Sequence, residues 1–301
     1  MPSCIETRCA SALHKTPEGR GGPYGCDLNP YRGCAHRCQY CFAQYSHAYL
    51  EDGDYFGHIY VKTNIAERLD RELSSRAWDG RPISLGGVTD SYQPCEARYS
   101  LMPEVWRVLI KHKAPCVIST KSALILRDFE LIERLASLTY VNVACTITTL
   151  DESVRQKLEP HAAPSAARLA VLSAFAKSPA STGLHMMPIV PYLTDGEENI
   201  NALYCAAKEA GVDYLLPGML NLKGKTRDTF FTCIDRDFPA CYRDIWAAYQ
   251  NGRLDKAVRE RAYARVRAAQ TQYGISADFM APSRRFFNNN HNERAEQLTF
   301  L

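Results

Sequence analysis

Residues 29–41 read Asn29-Pro30-Tyr31-Arg32-Gly33-Cys34-Ala35-His36-Arg37-Cys38-Gln39-Tyr40-Cys41, and this stretch decides how the rest of the chain is interpreted. Three cysteines stand in it at a C-x3-C-x2-C spacing. Thiolates are soft ligands that select iron–sulfur clusters, zinc or Cu(I). A four-iron cluster ordinarily takes four thiolates, so a set of three leaves one iron open to another ligand.

Zinc is the competing interpretation of the same cysteines. A structural zinc ion needs four closed ligands, which usually come as two separated pairs. His36 follows Cys34 by only two residues, and this is a poor spacing for a fourth ligand. The segment therefore favours an iron–sulfur cluster held by Cys34, Cys38 and Cys41.

With the aromatic Tyr40 directly before the last cysteine, the motif resembles the signature of the radical S-adenosylmethionine (SAM) superfamily. The resemblance implies a [4Fe–4S] cluster whose open iron chelates the amino and carboxylate groups of SAM. The reduced cluster then splits SAM to methionine and a 5′-deoxyadenosyl radical, while the protein positions the cofactors and shields the radical. It also implies a partner that supplies electrons, such as flavodoxin or ferredoxin, and makes Tyr40 a candidate cofactor-binding residue.

The composition is that of a globular protein. Of 301 residues, 46% are hydrophobic and 23% are charged, and the net charge of +3 does not by itself call for nucleic acid. The first 25 residues contain no secretory apolar stretch, and no run reaches the length of a transmembrane helix. Twelve cysteines without regular pairing indicate free thiols in a reducing compartment, so we expect a cytoplasmic protein without a membrane contact.

Short β-branched runs alternate with amphipathic helical patterns along the middle of the chain. We predict strands at 58–62, 83–87, 116–120, 140–147, 184–190 and 212–216. We predict helices at 42–49, 64–77, 101–112, 124–136, 163–176, 197–210, 239–250 and 254–273. The alternation indicates a parallel sheet with right-handed crossovers, and active sites in such sheets lie at the carboxyl ends of the strands.

The superfamily resemblance implies an α/β fold, an open (β/α)6 partial TIM barrel with the cluster at its mouth. Residues 1–27, broken by glycines and prolines, are expected to form an irregular leader, and 28–220 the barrel. Residues 217–227 are expected to form a loop, and 221–301 a helical C-terminal extension with a flexible tail.

Candidate cofactor-binding residues stand at the expected strand ends. Gly86 and Gly87 allow a ligand to approach bare backbone. Lys121 is placed to pair with the SAM carboxylate, and Arg168 is able to hold a carboxylate in a two-pronged contact. Thr146 and Thr148 share one predicted strand face, so both hydroxyls could reach the SAM ribose. Each of these residues also has an ordinary structural explanation.

Together, these segments resemble the spore photoproduct lyase-like branch of the superfamily over residues 28–220. The segments are Asn-Pro-Tyr-Arg-Gly-Cys, Val-Thr-Asp-Ser-Tyr-Gln-Pro, Ser-Thr-Lys-Ser, Thr-Thr-Leu-Asp-Glu, Leu-Glu-Pro and Pro-Ile-Val-Pro-Tyr-Leu-Thr-Asp, in that order. The resemblance implies a nucleic-acid substrate, with DNA lesion repair as one form. That branch returns a hydrogen atom from a cysteine at the position of Gly87-Val88, where this chain has none, and Cys95 is the nearby candidate. Radical modification of a small molecule or peptide, and a non-catalytic nucleic-acid-binding module, are the alternatives.

The ends of the chain leave further possibilities open. Cys4, Cys9 and Cys26, or Cys205, Cys233 and Cys241, are candidates for an auxiliary cluster, with free thiols as the alternative. Residues 252–294 carry nine Lys/Arg against four Asp/Glu, and such a surface attracts a phosphate backbone unless it is only solvated helix decoration. Gln297-Leu298-Thr299-Phe300-Leu301 resembles the pentapeptide that bacterial proteins insert into the sliding clamp, which suggests a clamp partner.

Overall fold

The computed structural model describes residues 2–15, 24–47 and 53–288. Its strands are β1 (Ser3–Thr7), β2 (Leu13–Lys15), β3 (Cys26–Leu28), β4 (Tyr31–Arg32), β5 (His58–Lys62), β6 (Ile83–Leu85), β7 (Cys116–Thr120), β8 (Val141–Thr146), β9 (Ser181–Ile189) and β10 (Tyr214–Met219). Its α-helices are α1 (Ile65–Leu73), α2 (Glu96–Tyr99), α3 (Leu101–His112), α4 (Phe129–Ala136), α5 (Glu152–Leu158), α6 (Ser165–Phe175), α7 (Glu197–Ala210), α8 (Lys225–Asp237), α9 (Pro239–Ala248) and α10 (Lys256–Tyr273). Two 3-10 helices span Phe42–His47 and Ala123–Asp128, and residues 281–288 are also helical.

The larger sheet has seven strands in the order β10-β9-β8-β7-β6-β3-β2. The six strands from β3 to β10 are parallel, and β2 pairs antiparallel with β3 at the edge. Within the described residues, β10 does not pair back to the β2 edge, so the sheet stays open. The predicted open (β/α)6 partial barrel with a helical C-terminal region is therefore confirmed.

Side chains alternate between the two faces of the barrel strands. On β8, Val143 and Cys145 belong to the hydrophobic core that the outer helices complete, as Leu172 of α6 does. Each fully buried apolar side chain of this kind contributes about 1.5–3 kcal/mol to folding. Asn142 and Thr146, on either side of these two residues, face the barrel interior, because successive side chains of a strand point to opposite faces.

The first strand of the barrel is not the predicted one. The structure assigns that place to β3, whose first two residues lie in the predicted irregular leader and which pairs with β6. The predicted strand at 58–62 exists as β5, but it forms a separate sheet in the order β1-β5-β4. A strand of three residues is too short to show an alternating hydrophobic pattern. The glycines and prolines that precede β3 therefore led to the prediction of an irregular segment.

The predicted loop at 217–227 is also wrong at both ends. Strand β10 continues through Pro217 to Met219, with a register irregularity against β9 between these two residues. Proline is tolerated at such a position because β10 is an edge strand. Helix α8 then begins at Lys225, after Gly224 with φ of +49°. None of the described helices is long and apolar enough to cross a membrane.

Candidate cluster and SAM site

The cysteine segment lies between β4 and the 3-10 helix Phe42–His47, at the carboxyl ends of the barrel strands, which we call the mouth. Gly33 turns the chain there with φ of +87°, and a Cβ atom on it would come within 2.5 Å of the His58 carbonyl oxygen. Cys34 N–H donates to the Tyr55 carbonyl at 3.2 Å, and Cys41 N–H donates to the Cys38 carbonyl at 3.1 Å. These bonds fold the segment into a compact loop, the cysteine loop (residues 33–41).

The three thiols of the cysteine loop are neighbours in a dry environment. Cys34 and Cys38 are buried and Cys41 is half-buried. Burial raises the pKa of all three thiols, and for Cys34 the charges of Cys38 and Cys41 raise the pKa further. Such thiols become good ligands only when a cation deprotonates them.

The chemistry of the three donors fits a four-iron cluster. Cys34, Cys38 and Cys41 supply three soft thiolate ligands from one loop, and they lie close enough for their charges to raise one another's pKa. The thiolates of a four-iron cluster each bind a different iron, whereas a structural zinc ion needs a fourth ligand. The residues present therefore fit the [4Fe–4S] group.

The Thr89–Gln93 part of the Val-Thr-Asp-Ser-Tyr-Gln-Pro segment holds the backbone of the cysteine loop. Gln93 accepts from Ala35 N–H at 2.8 Å and donates to the Gly33 carbonyl at 3.1 Å. Thr89 Oγ1 donates to the same carbonyl at 2.6 Å. The sequence singled out this segment by resemblance, and the structure supplies a physical reason for it. The buried side chains of Thr89 and Gln93 form hydrogen bonds with backbone groups of the loop that would otherwise be buried without a partner.

Asp90 of the same segment ties the mouth together. Its Oδ1 accepts from Thr120 Oγ1 at 2.8 Å, and its Oδ2 accepts from Lys121 N–H at 2.8 Å. The Oδ2 atom also lies 3.2 Å from Nε2 of His36 in the cysteine loop. Burial alone would raise the pKa of Asp90, but His36 and the backbone donors lower it to about 2. The ends of β6 and β7 are thus fixed to the cysteine loop by one carboxylate.

A second support comes from the segment after α5. Gln39 N–H donates to the Leu158 carbonyl at 2.9 Å, and His36 Nδ1 lies 3.0 Å from the His161 carbonyl oxygen. The Tyr40 hydroxyl donates to one oxygen of Glu159. This contact aligns Tyr40, between Cys38 and Cys41, with a buried acceptor.

Arg168 forms an ion pair with the other oxygen of Glu159, and both side chains are 0% exposed. The remaining Arg168 donors go to the Ala163 carbonyl at 2.8 Å and the Thr146 carbonyl at 2.7 Å. Burial would raise the pKa of Glu159, yet Arg168 and Lys121 lower it. The carboxylate that Arg168 holds is therefore Glu159 of the same chain, so we keep Arg168 as a positioning residue rather than a SAM ligand. Glu159 belongs to the quoted Leu-Glu-Pro segment, but the sequence predicted no role for this residue.

Lys121 lies at the end of β7, beside the cysteine loop. Its Nζ is 5.7 Å from the centre of the Tyr40 ring. Burial would lower the pKa of Lys121, but the nearby Cys38 and Glu159 raise it, so the ammonium stays charged. A charged donor beside the cluster ligands is what the predicted pairing with a SAM carboxylate needs.

The predicted glycines lie at the end of β6. Gly86 has φ of +83°, and a Cβ atom on it would lie 3.0 Å from the Thr89 carbonyl oxygen. A Cβ atom on Gly87 would lie 3.2 Å from the carboxylate of Asp27, the residue next to Leu28 on β3. Gly86 is thus required by its positive φ, which is the ordinary structural explanation of this residue, and Gly87 packs closely against the Asp27 carboxylate.

Thr146 is the last residue of β8, and Thr148 follows the end of that strand by two residues. Thr146 Oγ1 lies 3.4 Å from Ser119 Oγ on the neighbouring strand. Thr148 Oγ1 is buried and has no hydrogen-bond partner among the described residues. A buried hydroxyl without a partner at the mouth has its hydrogen-bonding capacity left for a ligand.

Cys95 lies apart from these groups. It packs with Cys4 of β1 on the apolar cluster of the smaller sheet, which contains Tyr31, Ile59 and Val61. Burial, Cys4 and Glu96 all raise the pKa of Cys95. This placement does not support a hydrogen-atom donor in the barrel, and Cys95 stays an untested candidate.

The other cysteines are scattered over separate elements. Cys9 and Cys26 lie on the N-terminal segment and β3, while Cys205 lies 3.5 Å from Glu209 on α7. Cys233 Sγ contacts the Lys157 carbonyl at 3.8 Å, and Cys241 Sγ contacts the Tyr192 carbonyl at 3.5 Å. Within the described part of the chain, neither predicted auxiliary set comes together at one point.

A polar chain of side chains in the barrel interior was missed by the sequence. Nε2 of His185 on β9 lies 3.1 Å from the Tyr214 hydroxyl, which donates to Asn142 Oδ1 at 3.0 Å. Because the Tyr214 hydroxyl donates its proton to Asn142, it can only accept from His185, so Nε2 carries the imidazole proton. Nδ1 of His185 is then unprotonated and accepts from Ser119 Oγ at 3.3 Å. Only the pairing of four strands brings these residues together, so local sequence carried no signal for them.

His185 gives a prediction about stability and pH. Burial, with a smaller effect of Lys121, lowers its pKa from 6.5 to about 4. Between these values the unfolded chain takes up a proton that the folded chain does not, so acidification from pH 6.5 to 4 destabilises the fold by up to about 3 kcal/mol. In urea unfolding of the metal-free protein, His185→Asn is expected to reduce this loss. The control is His161→Gln at an exposed side chain, and an identical pH dependence in all three proteins would contradict the prediction.

A model of the radical SAM superfamily matches residues 28–203, and the chain belongs to that superfamily, whose members use a [4Fe–4S] cluster and SAM. It is an enzyme of this class. The chain is 33% identical over 277 residues to an uncharacterized protein of Mycobacterium tuberculosis, covering 91% of this chain and 82% of that protein. It is 26% identical over 219 residues to an uncharacterized protein of Methanocaldococcus jannaschii, covering 72% and 78% of the two chains.

Among solved structures, the fold is similar to that of spore photoproduct lyase. The lyase complexed with dinucleoside spore photoproduct gives a TM-score of 0.65 at 13% identity, over 90% of this chain and 79% of that one. A double mutant of the lyase with bound AdoMet and the dinucleoside spore photoproduct gives a TM-score of 0.63, also at 13% identity, over 89% and 78%. At this identity the likeness shows the fold.

Proposed function

We propose that this radical SAM enzyme acts on a nucleic acid, with DNA lesion repair as the first reaction to examine. In the proposed site, Cys34, Cys38 and Cys41 hold the [4Fe–4S] cluster. With SAM bound and after reduction, the cluster supplies a 5′-deoxyadenosyl radical. The charged Lys121, the backbone at Gly86 and Gly87, and the hydroxyls of Thr146 and Thr148 bind SAM. The buried walls of the mouth exclude water from the radical.

The observation that carries the nucleic-acid substrate is a basic helix fixed beside the mouth. Helix α10 buries Val258, Ala262 and Val266 on its inner side, and most of its cationic side chains are exposed on the other sides. Arg261 Nη2 lies 3.4 Å from the hydroxyl of Tyr192, and Arg265 donates to the Asp195 carbonyl at 2.9 Å. Both partners lie in the segment that follows β9, so the positive surface adjoins the opening through which a substrate enters.

The likeness to spore photoproduct lyase supports the same substrate class, because the lyase was solved with a dinucleoside photoproduct. The chain departs from that branch at Gly87-Val88, where a hydrogen-donating cysteine is expected. Either another group returns the hydrogen atom or the reaction differs from photoproduct cleavage. The polar barrel interior at His185 and Ser119 also suits a smaller polar substrate, and this keeps modification of a small molecule or peptide as the second candidate.

The proposed partners are the electron carrier and the nucleic acid. The clamp-binding pentapeptide lies at 297–301, outside the described residues, and stays a sequence prediction.

Oligonucleotide binding tests the substrate class. Reversing two charges on α10, Arg259→Glu with Arg261→Glu, is expected to weaken binding of a fluorescein-labelled single-stranded DNA at least about tenfold. The slope of log affinity against log salt should become shallower by about 1.4, because each phosphate contact on a single strand contributes about 0.7. Fluorescence anisotropy over a salt series is the measurement.

The matched control is Arg134→Glu on the outer helix α4, where the side chain is exposed. It should leave the affinity near that of the unchanged protein. Equal affinity of the α10 double variant, or no DNA binding at all at low salt, would favour the small-molecule or peptide candidate.

A further inference from the structure

The side chain of Tyr55 lies between the cysteine loop and the end of β6. It is 3% exposed and packs in one apolar cluster with Cys34, Cys41 and Val88. The rings of Tyr55 and His47 meet edge to face, with centroids 5.1 Å apart and planes 82° apart. These neighbours restrict the ring of Tyr55, so its hydroxyl is held beside the third cysteine.

The Tyr55 hydroxyl contacts two different groups. Its Oη atom donates to the Val88 carbonyl at 2.9 Å. The same atom lies 3.8 Å from Cys41 Sγ, and a protonated thiol there donates to the hydroxyl oxygen. The backbone carbonyl of Tyr55 also accepts from Cys34 N–H at 3.2 Å. One residue therefore contacts two of the three cysteines and the segment that follows β6.

Iron binding changes what the sulfur of Cys41 can do. A cysteine that ligates iron is a thiolate, which has no proton and acts only as an acceptor. The Tyr55 hydroxyl keeps its proton at neutral pH, and burial raises the pKa of this phenol further. Two acceptor atoms would then face each other at 3.8 Å unless the hydroxyl proton turns towards the sulfur.

Of the two acceptors within reach of the hydroxyl, the thiolate is the stronger. A hydrogen bond to an ionised acceptor is roughly twice as strong as a bond to a neutral one such as the Val88 carbonyl. Val88 is only half-buried, so water is able to replace the donor that its carbonyl gives up. Rotation of the hydroxyl about its C–O bond is sufficient for this exchange, and the ring does not have to move.

We propose that Tyr55 is a positioning residue whose hydroxyl turns from the Val88 carbonyl to the Cys41 thiolate when the cluster is bound. A hydrogen bond to a ligand sulfur withdraws electron density from the cluster. It therefore stabilises the more negative reduced state and raises the reduction potential. This inference rests on the proposed cluster ligands, but it is independent of the nucleic-acid substrate.

Tyr55→Phe tests the proposal, because it keeps the ring and removes the hydroxyl. In a redox titration of the cluster-loaded full chain, followed by EPR, the variant is expected to have a more negative midpoint potential. At the midpoint potential of the unchanged protein, the ratio of reduced to oxidised cluster should fall at least about twofold, the effect of one weak hydrogen bond. Iron content should stay at about four per chain, because all three thiols remain.

Electron–nuclear double resonance of the reduced cluster detects the hydrogen bond itself. After exchange into heavy water, the unchanged protein is expected to show a deuteron coupling that Tyr55→Phe lacks. Deuterons on backbone amides contribute to both spectra, so the difference between the two proteins isolates the hydroxyl.

Tyr249→Phe is the matched control. The Tyr249 side chain is 1% exposed, and its hydroxyl also donates to a backbone carbonyl, that of Leu220 at 2.7 Å. The control thus loses a buried hydrogen bond of the same kind, but not one directed at a cysteine sulfur. It should keep the midpoint potential and the full set of deuteron couplings.

Three results would overturn the proposal. They are an unchanged midpoint potential in Tyr55→Phe at full iron content, a difference spectrum without a deuteron coupling, and an equal shift of potential in Tyr249→Phe. If Tyr55→Phe does not load iron, a ring-fluorinated tyrosine incorporated at position 55 decides. This more acidic phenol is a stronger donor, so the potential should rise, and an unchanged potential would contradict the proposal. Absent iron in the unchanged protein would instead contradict the cluster assignment, so the two failures are distinguishable.

Discussion

Replacing Cys34, Cys38 and Cys41 together by alanine is expected to remove essentially all iron from anaerobically reconstituted protein, which otherwise binds about four irons per chain. Formation of 5′-deoxyadenosine from SAM should fall to the background of the assay. The physical reason is that these three thiols lie close together in one loop, whose backbone is held by Gln93 and whose Tyr40 hydroxyl donates to Glu159. Iron analysis and chromatography of the reaction mixture are the measurements.

The control for this experiment is the triple variant Cys205→Ala/Cys233→Ala/Cys241→Ala. These thiols lie on α7, α8 and α9 and contact unrelated groups, so iron content and SAM cleavage should be retained. If instead the cysteine-loop triple variant kept its full iron content, another set of cysteines would hold the cluster.

Glu159→Gln is expected to lower the free energy of unfolding of the metal-free protein by about 3 kcal/mol or more. The amide keeps the shape of the side chain but leaves the buried Arg168 guanidinium without its counter-charge, and breaking a buried ion pair in this way typically costs about 3–5 kcal/mol. Urea unfolding measures this loss. In the cluster-loaded protein the same variant should release iron faster. The reason is that the hydroxyl of Tyr40, which lies between Cys38 and Cys41 in the sequence, loses its charged acceptor.

Glu67→Gln is the matched control. Glu67 forms ion pairs with Arg8 and Arg71, but its side chain is 47% exposed. Exposed pairs of this kind contribute less than about 1 kcal/mol. Similar losses in the two variants would mean that the Glu159–Arg168 pair has no special weight in the fold.

The elements that the sequence predicted best have strong local patterns. Strand β7 and helices α3 and α7 have the predicted bounds, because each combines a clear hydrophobic period with polar or glycine residues at its ends. The predicted helix at 124–136 divides into a 3-10 helix and α4 at Phe129. Strand β3 was missed because its identity as a strand depends on pairing with β6, far away in sequence.

The candidate site shows the same division. The cysteine spacing is local, so the sequence could predict the cysteine loop as a metal site. The roles of Asp90 and Glu159 were not predictable from their own segments, because each acts on residues brought close only by the tertiary fold. For Arg168, the sequence indicated a carboxylate partner correctly in kind, but the structure supplies that partner from within the chain.

The supports of the cysteine loop come from far along the chain, and this bears on the order in which the enzyme matures. The contact between Tyr40 and Glu159 spans 119 residues, and that between His36 and His161 spans 125. Loop closure over such separations is slow and is completed only after the intervening strands have formed. During synthesis the three thiols therefore leave the ribosome long before the walls that bury them exist. The buried setting of the cysteine loop is therefore complete only after at least the first four barrel strands have folded, and until that moment the three thiols are exposed to oxygen and to metal ions.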